Sequence, residues 1–395
     1  MHFIKKRGFI HSQINRLATV GFVSTLGVAL IGTIWAIYLE SFLHNASYVG
    51  FLSTVFTITA LISYFLITPL IEKNSKTKLY AFSIIAYLIS YLLFSFLKNI
   101  YAIVALGIIL SITSALKVTS FGIIVRDKSK DQSVSKNIGL IYTFLNISWL
   151  IGPLIAGFVA QKYGFGKVFL IASGIMFLSF LLFQKFKIKD ERKEKKIDKN
   201  PLKLFIDFLK NKDRLRIYIL SGGINFWWAL IYIYIPIYII ESGLGDKIVG
   251  YFLFAVVIPL VLLEYYFGKL AAKKGFKKLF FTGYFLLGIL ALSCFFITKI
   301  YVILAVLALA SVAISMLEST TESYFFDIIK KTQRDKFYGP YNTSIDISSA
   351  IATFIAAGIL LFFPFKSIFI FFGLAMLAFA ILSLRTKNII EKSRH

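Results

Sequence analysis

The sequence predicts an all-α integral membrane protein with twelve transmembrane helices in two similar six-helix bundles. Of its 395 residues, 58% are hydrophobic, 42 are Phe and only 16% are charged. Soluble domains average about 45–50% apolar residues, so a soluble chain could not bury this much apolar surface. Many windows of about 20 residues carry few or no charges, which suffices to cross a bilayer core of about 30 Å. The sequence does not show the short alternating segments of an outer-membrane barrel.

Twelve apolar stretches are predicted to form the spans, numbered below in chain order, with boundaries good to about 2–4 residues. They cover residues 17–40, 48–71, 79–97, 101–124, 138–160, 167–186, 214–240, 248–271, 278–297, 301–326, 338–362 and 367–385.

The net charge of +25 follows the topology of these spans. Of the 44 Lys and Arg residues, 37 lie in the two tails and in alternate loops on one side, and Lys117 lies within span 4. The six on the other side are Lys98, Lys162, Lys167, Lys247, Lys299 and Lys366. This asymmetry is the positive-inside signature and predicts that both termini are cytoplasmic. The basicity is therefore attributed to topology and lipid headgroups, and no nucleic-acid partner is expected.

Cysteine and histidine usage excludes further classes. The single cysteine, Cys294, cannot form an intrachain disulfide. The four histidines (His2, His11, His44 and His395) lie outside the predicted spans, so they cannot build a zinc cage within the membrane. The first 16 residues are basic, but the apolar run that follows is too long for a cleaved signal peptide and is interpreted as a retained first span.

The sequence also carries no motif of an enzyme. It contains no G-x-x-x-x-G-K-[ST] phosphate loop, so direct use of ATP is not expected. It contains no H-E-x-x-H, G-x-S-x-G or Cys/His cluster that would supply a metal or a nucleophile. We therefore predict no enzymatic activity, no cofactor and no metal.

The chain repeats itself at an offset of 200 residues. "TPLIEKNSKTKL" (68–79) aligns with "GKLAAKKGFKKL" (268–279), and Gly50 aligns with Gly250. Apolar segments match by accident, but a constant offset through loops and helices is hard to obtain by chance. Six spans in each repeat place both repeats in the same orientation, related by an axis along the membrane normal.

The repeat predicts two bundles, residues 1–186 and 214–395, joined by a cytoplasmic linker over residues 187–213. The linker is too highly charged to enter lipid. Its centre, "PLKLFIDFLK" (201–210), alternates faces at helical spacing. It is interpreted either as a helix on the cytoplasmic membrane surface or as a simple tether.

Two loops and one helix carry recognisable motifs. The loop after span 2 contains Thr68, Leu70, Glu72, Lys73, Ser75 and Lys76. The loop after span 8 contains Gly268, Leu270, Ala272, Lys273, Gly275, Lys277 and Lys278. Span 5 continues as "LIGPLIAGFVAQKYGFGKVF" (150–169), in which Gly152 and Pro153 would bend the helix. Ser148, Gly152 and Ala156 form a small-residue stripe suited to close helix packing.

These motifs resemble those of the major facilitator superfamily of secondary transporters, and the resemblance covers essentially the whole chain. In that family both loops follow G-x-L-x-D-R-x-G-R-K and latch the cytoplasmic helix ends together during the transport cycle. The resemblance implies this conformational role for Glu72, Lys73, Gly268 and Lys273, whereas Ala272 lacks the acidic group. A basic loop that obeys the positive-inside rule would explain the lysines but not their doubled spacing.

The resemblance also bears on proton exchange. Gly152 and Pro153 match the family's G-P-x-x-G-G signature in span 5, which is associated with exporters that exchange substrate for protons. An ordinary kinked helix is the alternative interpretation. The family's proton exchangers also carry R-x-x-Q-G early in span 4, at a position near Gly107 here, and this span contains no arginine. The nearest cation is Lys117.

Four ionisable residues are predicted to lie in one layer of the membrane. At about 1.5 Å of rise per residue, Lys117 and Glu264 lie about 10 Å from the inner end of their spans. Glu318 and Asp346 lie about 12 Å deep, and Glu322 lies about 6 Å deep, near the cytoplasmic mouth. Charged groups at such depths are costly and usually face a watery pathway or one another.

The resemblance places all of these groups on helices that line the central cavity or the interface between the bundles. Three carboxylates beside one ammonium cannot all be compensated, so at least one should take up a proton readily. Glu318 is the preferred site for proton coupling or for a substrate cation, with Asp346, Glu264, Glu322 and Lys117 in the same set.

Structural alternatives remain open for each of these residues. They are a Glu322–Lys330 pair, a Glu264–Lys269 pair, a Lys117–Glu318 tie, and an Asp346 that caps polar groups such as Ser348.

The substrate is expected to contact aromatic and amide side chains. Asn225, Trp228 and Tyr232 recur at helical spacing in span 7, and Asn146 and Trp149 do so in span 5. Aromatic faces with a few polar groups suit organic ligands in an apolar pocket. Packing against lipid or a neighbouring helix is the alternative, above all for Trp228.

Together these features predict a secondary transporter that works by alternating access in the cytoplasmic (inner) cell membrane. The preferred activity is proton-coupled efflux of a small amphipathic organic molecule, with a cationic one favoured by the excess of acid in the inner layer. The alternatives are symport or facilitated uptake of a sugar or other nutrient, and a non-transporting sensor or scaffold on the same fold. The expected partners are the small-molecule substrate, protons and the lipid bilayer, and the protein is expected to be monomeric.

Overall fold

The computed structural model describes residues 12–129, 134–188, 190, 201–330, 333–387 and 389. All regular secondary structure within these residues is helical, which confirms the predicted all-α class. Among the described residues, 11 helices are long and apolar enough to cross a membrane. A shorter apolar helix, Ser367–Ser383, follows them near the end of the chain.

Fourteen α-helices and one π-helix form the described part of the chain. In order they are α1 (Gln13–Leu43), α2 (Ala46–Lys73), α3 (Lys76–Phe94), α4 (Ile100–Asp127), α5 (Val134–Tyr163), α6 (Phe165–Lys185), α7 (Pro201–Leu209), α8 (Lys212–Ala229), the π-helix Leu230–Tyr234, α9 (Ile235–Glu241), α10 (Asp246–Lys274), α11 (Phe276–Phe296), α12 (Ile300–Ile328), α13 (Arg334–Phe362) and α14 (Ser367–Ser383).

Each predicted span coincides with one of these helices, and α8, the π-helix and α9 together form span 7. Most helices continue beyond the apolar run by a few residues; α13, for example, begins at Arg334 rather than at residue 338. The difference arises because hydropathy marks only the part of a helix that suits lipid, whereas a polar turn can extend the helix into water.

The repeat seen in the sequence is also a repeat of helix boundaries. Four pairs of helices begin 200 residues apart: α2 and α10 at 46 and 246, α3 and α11 at 76 and 276, α4 and α12 at 100 and 300, and α5 and α13 at 134 and 334. The matched loop sequences therefore occupy matched positions between helices.

The centre of the predicted linker is a packed amphipathic helix, α7. The side chain of Phe208 is fully buried, and its ring centroid lies 6.0 Å from that of Tyr218 and 5.8 Å from that of Phe337. Leu202 and Ile206 are exposed. One face of α7 thus packs on α8 and α13 while other apolar side chains remain uncovered.

By their internal contacts the residues form two compact units. Unit 1 comprises Met1–Ile34 and Ile62–Lys195, and unit 2 comprises Trp35–Leu61 and Lys196–His395. The boundary falls inside α1 and α2 because residues 35–61 pack with unit 2.

Hydrogen bonds hold the first half of α2 to α13 within unit 2. The Ser47 hydroxyl donates to the backbone oxygen of Ala357 at 2.6 Å, and the hydroxyls of Thr54 and Thr353 lie 2.7 Å apart. The Tyr234 hydroxyl donates to the backbone oxygen of Thr353 at 2.7 Å. Three polar side chains thus bind one short stretch of α13, as expected where helices pack closely through small residues.

In unit 1, α5 packs closely against α1 at Gly152. A Cβ at this glycine would lie 2.6 Å from the Cβ and 3.2 Å from the backbone carbon of Ala29. The Ser148 hydroxyl donates to the backbone oxygen of Phe22 at 2.8 Å, and Ala156 is fully buried. The small-residue stripe of span 5 therefore faces a neighbouring helix.

We expect Gly152→Ala to lower stability because the added methyl group would overlap the Cβ of Ala29 on α1. Overpacking of this kind costs about 1–3 kcal/mol. Gly174→Ala in α6 is the matched control, because nothing lies within 4 Å of its added Cβ. Thermal unfolding in detergent should place Gly152→Ala below Gly174→Ala, and equal melting temperatures would contradict the close contact.

Candidate functional site

A π-helix interrupts span 7 at the predicted substrate site. Its residues, Leu230–Tyr234, include Tyr232 and directly follow Trp228 and Ala229. The ring centroids of Trp228 and Tyr232 lie 5.6 Å apart. Single-turn π-helices within α-helices occur frequently at functional sites. Asn225, Trp228 and Tyr232 are all partly accessible although most of their neighbours on span 7 are buried.

Glu318 on α12 lies beside these aromatic residues. Its carboxyl group is hydrogen-bonded to the Trp228 side chain, and it interacts electrostatically with Tyr232 and with Glu264 on α10. Its second oxygen, Oε2, is buried and has no hydrogen-bond partner among the described residues. Spans 7, 8 and 10 therefore bring two carboxyl groups and two aromatic side chains together within unit 2.

Glu264 does not pair with the lysine that follows it in sequence. The Lys269 ammonium lies over the ring of Tyr265, with Nζ 4.3 Å from the ring centroid. Among the described residues no ion pair joins Lys269 to Glu264. The Glu264 carboxylate is partly accessible and its electrostatic neighbour is Glu318.

Asp346 on α13 has Tyr218 as its electrostatic neighbour, not the residues around Glu318. It interacts electrostatically with Tyr218 on α8, whose hydroxyl lies 2.9 Å from that of Thr343. Within the described residues Asp346 makes no hydrogen bond to Ser348. The Ser348 hydroxyl instead lies against Gly222 of α8, where even a Cβ would overlap it.

Glu322 is held by a tyrosine of the next helix. The Tyr338 hydroxyl donates to Glu322 Oε1 at 2.7 Å, linking α12 to α13. Lys330 is exposed and makes no ion pair with Glu322 in the described part of the chain. Glu322 therefore differs from Glu318, which lies one helical turn away. The Oε2 atom of Glu318 is buried and has no hydrogen-bond partner among the described residues.

Lys117 is a buried cation in unit 1. The residue is only 9% exposed, and its ammonium lies 5.4 Å from the centroid of the Tyr87 ring. It makes no hydrogen bond or ion pair with any residue that the structure describes. α4 ends at Asp127, ten residues further on, which corresponds to about 15 Å along the helix. Lys117 thus lies farther from the end of its helix than the predicted distance of about 10 Å.

The amide and aromatic residues predicted to bind substrate have mixed surroundings. The Asn225 amide donates to the Ser221 backbone oxygen of its own helix at 3.3 Å. Asn146 is exposed. The Trp149 ring packs on α1 where Gly32 leaves room, since a Cβ there would lie 2.9 Å from the ring.

Within the described residues, no group of three or more His, Cys, Asp or Glu side chains could hold a metal ion.

Sequence comparison decides the family. The sequence profile of the Major Facilitator Superfamily matches residues 17–263 and 248–394, which is nearly the whole chain. The chain belongs to this superfamily. It is therefore a multi-pass membrane transporter and not an enzyme.

Two relatives within the superfamily are each 24% identical to this chain over the residues that align. An uncharacterized MFS-type transporter of Methanocaldococcus jannaschii aligns over 84% of this chain and 86% of its own length. Sugar efflux transporter A of Escherichia coli aligns over 58% of this chain and 59% of its own length.

Solved structures of other transporters share the fold. A POT family transporter in complex with a thioalcohol-conjugated peptide superposes with a TM-score of 0.77 at 13% identity, covering 93% of this chain and 94% of that one. The nucleoside transporter NupG superposes with a TM-score of 0.77 at 12% identity, covering 94% and 98%. At these identities the likeness concerns the fold alone.

The residues of the superfamily's loop motif lie at helix ends. Lys73 is exposed at the last position of α2, and Lys273 is exposed in the last turn of α10. Gly268 lies within α10 with nothing within 4 Å of an added Cβ. The side chain of Glu72 lies outside the described part of the structure. Pro153 is buried inside α5, where its ring nitrogen cannot donate the usual helical hydrogen bond.

Several features of the site were not predicted from the sequence. They are the π-helix, the hydrogen bond from Tyr338 to Glu322, and Tyr87 beside Lys117. Ser120 is a further one: it follows Lys117 by three residues, and its buried hydroxyl has no hydrogen-bond partner among the described residues. A search for uncharged donors at i, i+3 spacing from the buried charges would have found Ser120.

Proposed function

We propose that this transporter of the major facilitator superfamily couples a proton gradient to the export of a small amphipathic organic molecule. In this proposal the bundles 1–186 and 214–395 alternate access to a shared site, and residues 187–213 form a cytoplasmic linker. Both termini face the cytoplasm, the membrane is the inner cell membrane, and the protein acts as a monomer.

The observation that supports this proposal is the buried Oε2 atom of Glu318, which has no hydrogen-bond partner among the described residues. A carboxylate buried at membrane depth is costly unless it is paired, hydrogen-bonded or neutralised. Trp228 satisfies one oxygen, and the nearby charge of Glu264 adds repulsion. A proton or a substrate cation bound to Glu318 would give the unpaired oxygen a partner. It would also remove the repulsion between Glu318 and Glu264. A carboxyl group of this kind can therefore bind a proton or a cation on one side of the membrane and release it on the other.

The neighbouring side chains support binding of an organic molecule. The partly accessible faces of Trp228 and Tyr232 can contact apolar substrate surface, and the Asn225 amide supplies a polar group. Asp346 and Glu264 are carboxyl groups without an ion pair among the described residues, so both remain candidates for secondary proton sites.

A sugar is the second candidate substrate. The observation that favours it is the relative named sugar efflux transporter A. Aromatic and amide side chains also suit the apolar faces and hydroxyl groups of a sugar. In this alternative the protein would move a sugar or another nutrient, by symport or by facilitated diffusion, with Trp228 and Asn225 at the binding site.

Transport by the purified protein in liposomes tests these proposals. Vesicles carrying an imposed pH step would be offered organic amines and simple sugars, with protein-free vesicles as the control. The main proposal expects an amine to move uphill against the proton flow, and reversal of the pH step should reverse its direction. Movement of a sugar with the protons would establish the second candidate. Absence of flux for every compound would favour the sensor or scaffold.

A further inference from the structure

Lys117 makes no ion pair with any residue of its own unit that the structure describes. Its ammonium lies over the ring of Tyr87, whose face attracts an ammonium but carries no net charge to neutralise it. The Tyr87 hydroxyl is itself hydrogen-bonded to Ser114. Residues 76–126, which cover α3 and most of α4, contain no Asp or Glu. The residue as a whole is nevertheless buried, with 9% of its surface exposed.

Ser120 adds a second unused donor on the same face of α4. It follows Lys117 by three residues, a spacing that places side chains next to each other on a helix. Its side chain is fully buried and its hydroxyl has no hydrogen-bond partner among the described residues. Buried hydroxyls and ammonium groups are normally satisfied, so an adjacent unsatisfied pair needs an explanation. Both groups can donate to an anion.

We propose that Lys117 and Ser120 bind the carboxylate group of the transported molecule. The inference rests on the proposed function in that it takes this chain to move an organic substrate, and it narrows that substrate to molecules with a carboxylate. One ammonium balances the single charge of a carboxylate, and the Ser120 hydroxyl can donate to its second oxygen. A dianionic phosphate would leave one charge uncompensated in the same apolar surroundings, which disfavours it.

The part of α4 directly before Lys117 is apolar and buried, which favours an organic acid over a hydrated ion. Ile67, Ile71, Ala115 and Leu116 form a buried apolar cluster on the neighbouring part of α4 and α2. A substrate that carries its own apolar body can shed water more easily than an inorganic anion. Desolvation then strengthens the interaction between ammonium and carboxylate.

Ligand binding to the intact purified protein tests the proposal. The probes are benzoate, the neutral isostere benzamide, and sodium chloride, and the readout is the dissociation constant from thermal shift in detergent. We expect benzoate to stabilise the wild type, while benzamide and chloride at equal concentration do not. Lys117→Gln should weaken benzoate binding about tenfold or more, and Ser120→Ala should weaken it by a smaller factor. Lys117→Arg should retain part of the affinity.

Lys162→Gln is the matched control in the same unit. The Lys162 ammonium also lies over a tyrosine ring, 5.2 Å from the centroid of Tyr163, but its side chain is exposed. Its replacement should leave benzoate binding unchanged. Equal binding of benzoate and benzamide, equal stabilisation by chloride, or undiminished binding to Lys117→Gln would each overturn the proposal. A stability loss in Lys117→Gln that Glu318→Gln restores would also overturn it, because Lys117 would then serve an internal ion pair.

Failure of this inference is distinguishable from failure of the proposed function. Binding in detergent needs no proton gradient, and flux in liposomes is measured with amines and sugars that carry no carboxylate. Proton-driven flux of an amine without benzoate binding would leave the proposed function standing and remove the carboxylate site. Benzoate binding that depends on Lys117, without flux of any compound, would remove the proposed function and leave a carboxylate site that serves no transport.

Discussion

Glu318→Gln should abolish proton-driven uphill transport while leaving downhill exchange of substrate largely intact. The amide has nearly the same volume as the carboxyl group and can still accept the hydrogen bond from Trp228. It cannot bind or release a proton, so the variant loses the coupling step but keeps the shape of the site. We expect the uphill rate to fall about 100-fold, within the range that removal of a proton-transfer group produces.

The measurement compares accumulation under a pH step with exchange at equal pH in the same vesicles. Glu322→Gln supplies a matched comparison, because it makes the same change one turn along α12. There the Tyr338 hydroxyl, which donates to Glu322, can also donate to an amide oxygen. Its loss of uphill transport should be clearly smaller. Full uphill transport by Glu318→Gln, or a larger loss in Glu322→Gln, would remove Glu318 from its proposed role.

The sequence was sufficient to predict the spans and the repeat because both depend on composition along the chain. Each predicted span coincides with helical structure, and the offset of 200 residues returns in four pairs of helix starts. The π-helix was not predictable in the same way. A π-helix differs from an α-helix in that backbone hydrogen bonds join residues five apart and not four apart. This change occurs inside a continuous apolar run, so hydropathy does not mark Leu230–Tyr234.

The partners of the charged side chains could not be predicted from the sequence either, because they depend on helical geometry and on how the helices pack. Glu264 and Lys269 are five residues apart, which places them about 140° apart around a helix with 3.6 residues per turn. Tyr265 and Lys269 are four residues apart and share a face, so the ammonium lies over that ring. Glu322 meets Tyr338 from the next helix, a pairing that depends on how helices pack.

Gly50 is the sequence match of Gly250, and the structure gives it a physical role. It lies on α2 where that helix meets α13, and a Cβ there would lie 2.8 Å from the Cβ of Ala357. The same Cβ would overlap the Tyr234 hydroxyl, which is committed to the backbone oxygen of Thr353. In the proposed cycle α2 and α13 belong to different bundles, so this contact must form and separate at each turnover.

Gly50→Ala should therefore slow transport by weakening the state in which α2 and α13 are in contact. Overpacking by one methyl group costs about 1–3 kcal/mol, which corresponds to about a 5- to 150-fold shift in the population of that state. Transport rate in liposomes reports the functional effect. A cysteine introduced as Ser53→Cys, on a buried position of α2, should react faster with a water-soluble maleimide in the Gly50→Ala background. The native Cys294 is buried and should be replaced by serine to remove its signal.

Two further variants separate this contact from a general effect of losing a glycine. Gly358→Ala lies on α13 one residue after Ala357, and nothing lies within 4 Å of its added Cβ. It should transport normally, since an alanine in place of a helical glycine favours the helix by about 1 kcal/mol. Tyr234→Phe removes the hydroxyl that the new methyl group overlaps, so combining it with Gly50→Ala should recover part of the lost rate. Unchanged labelling and transport in Gly50→Ala would mean that the contact is not part of the transport cycle.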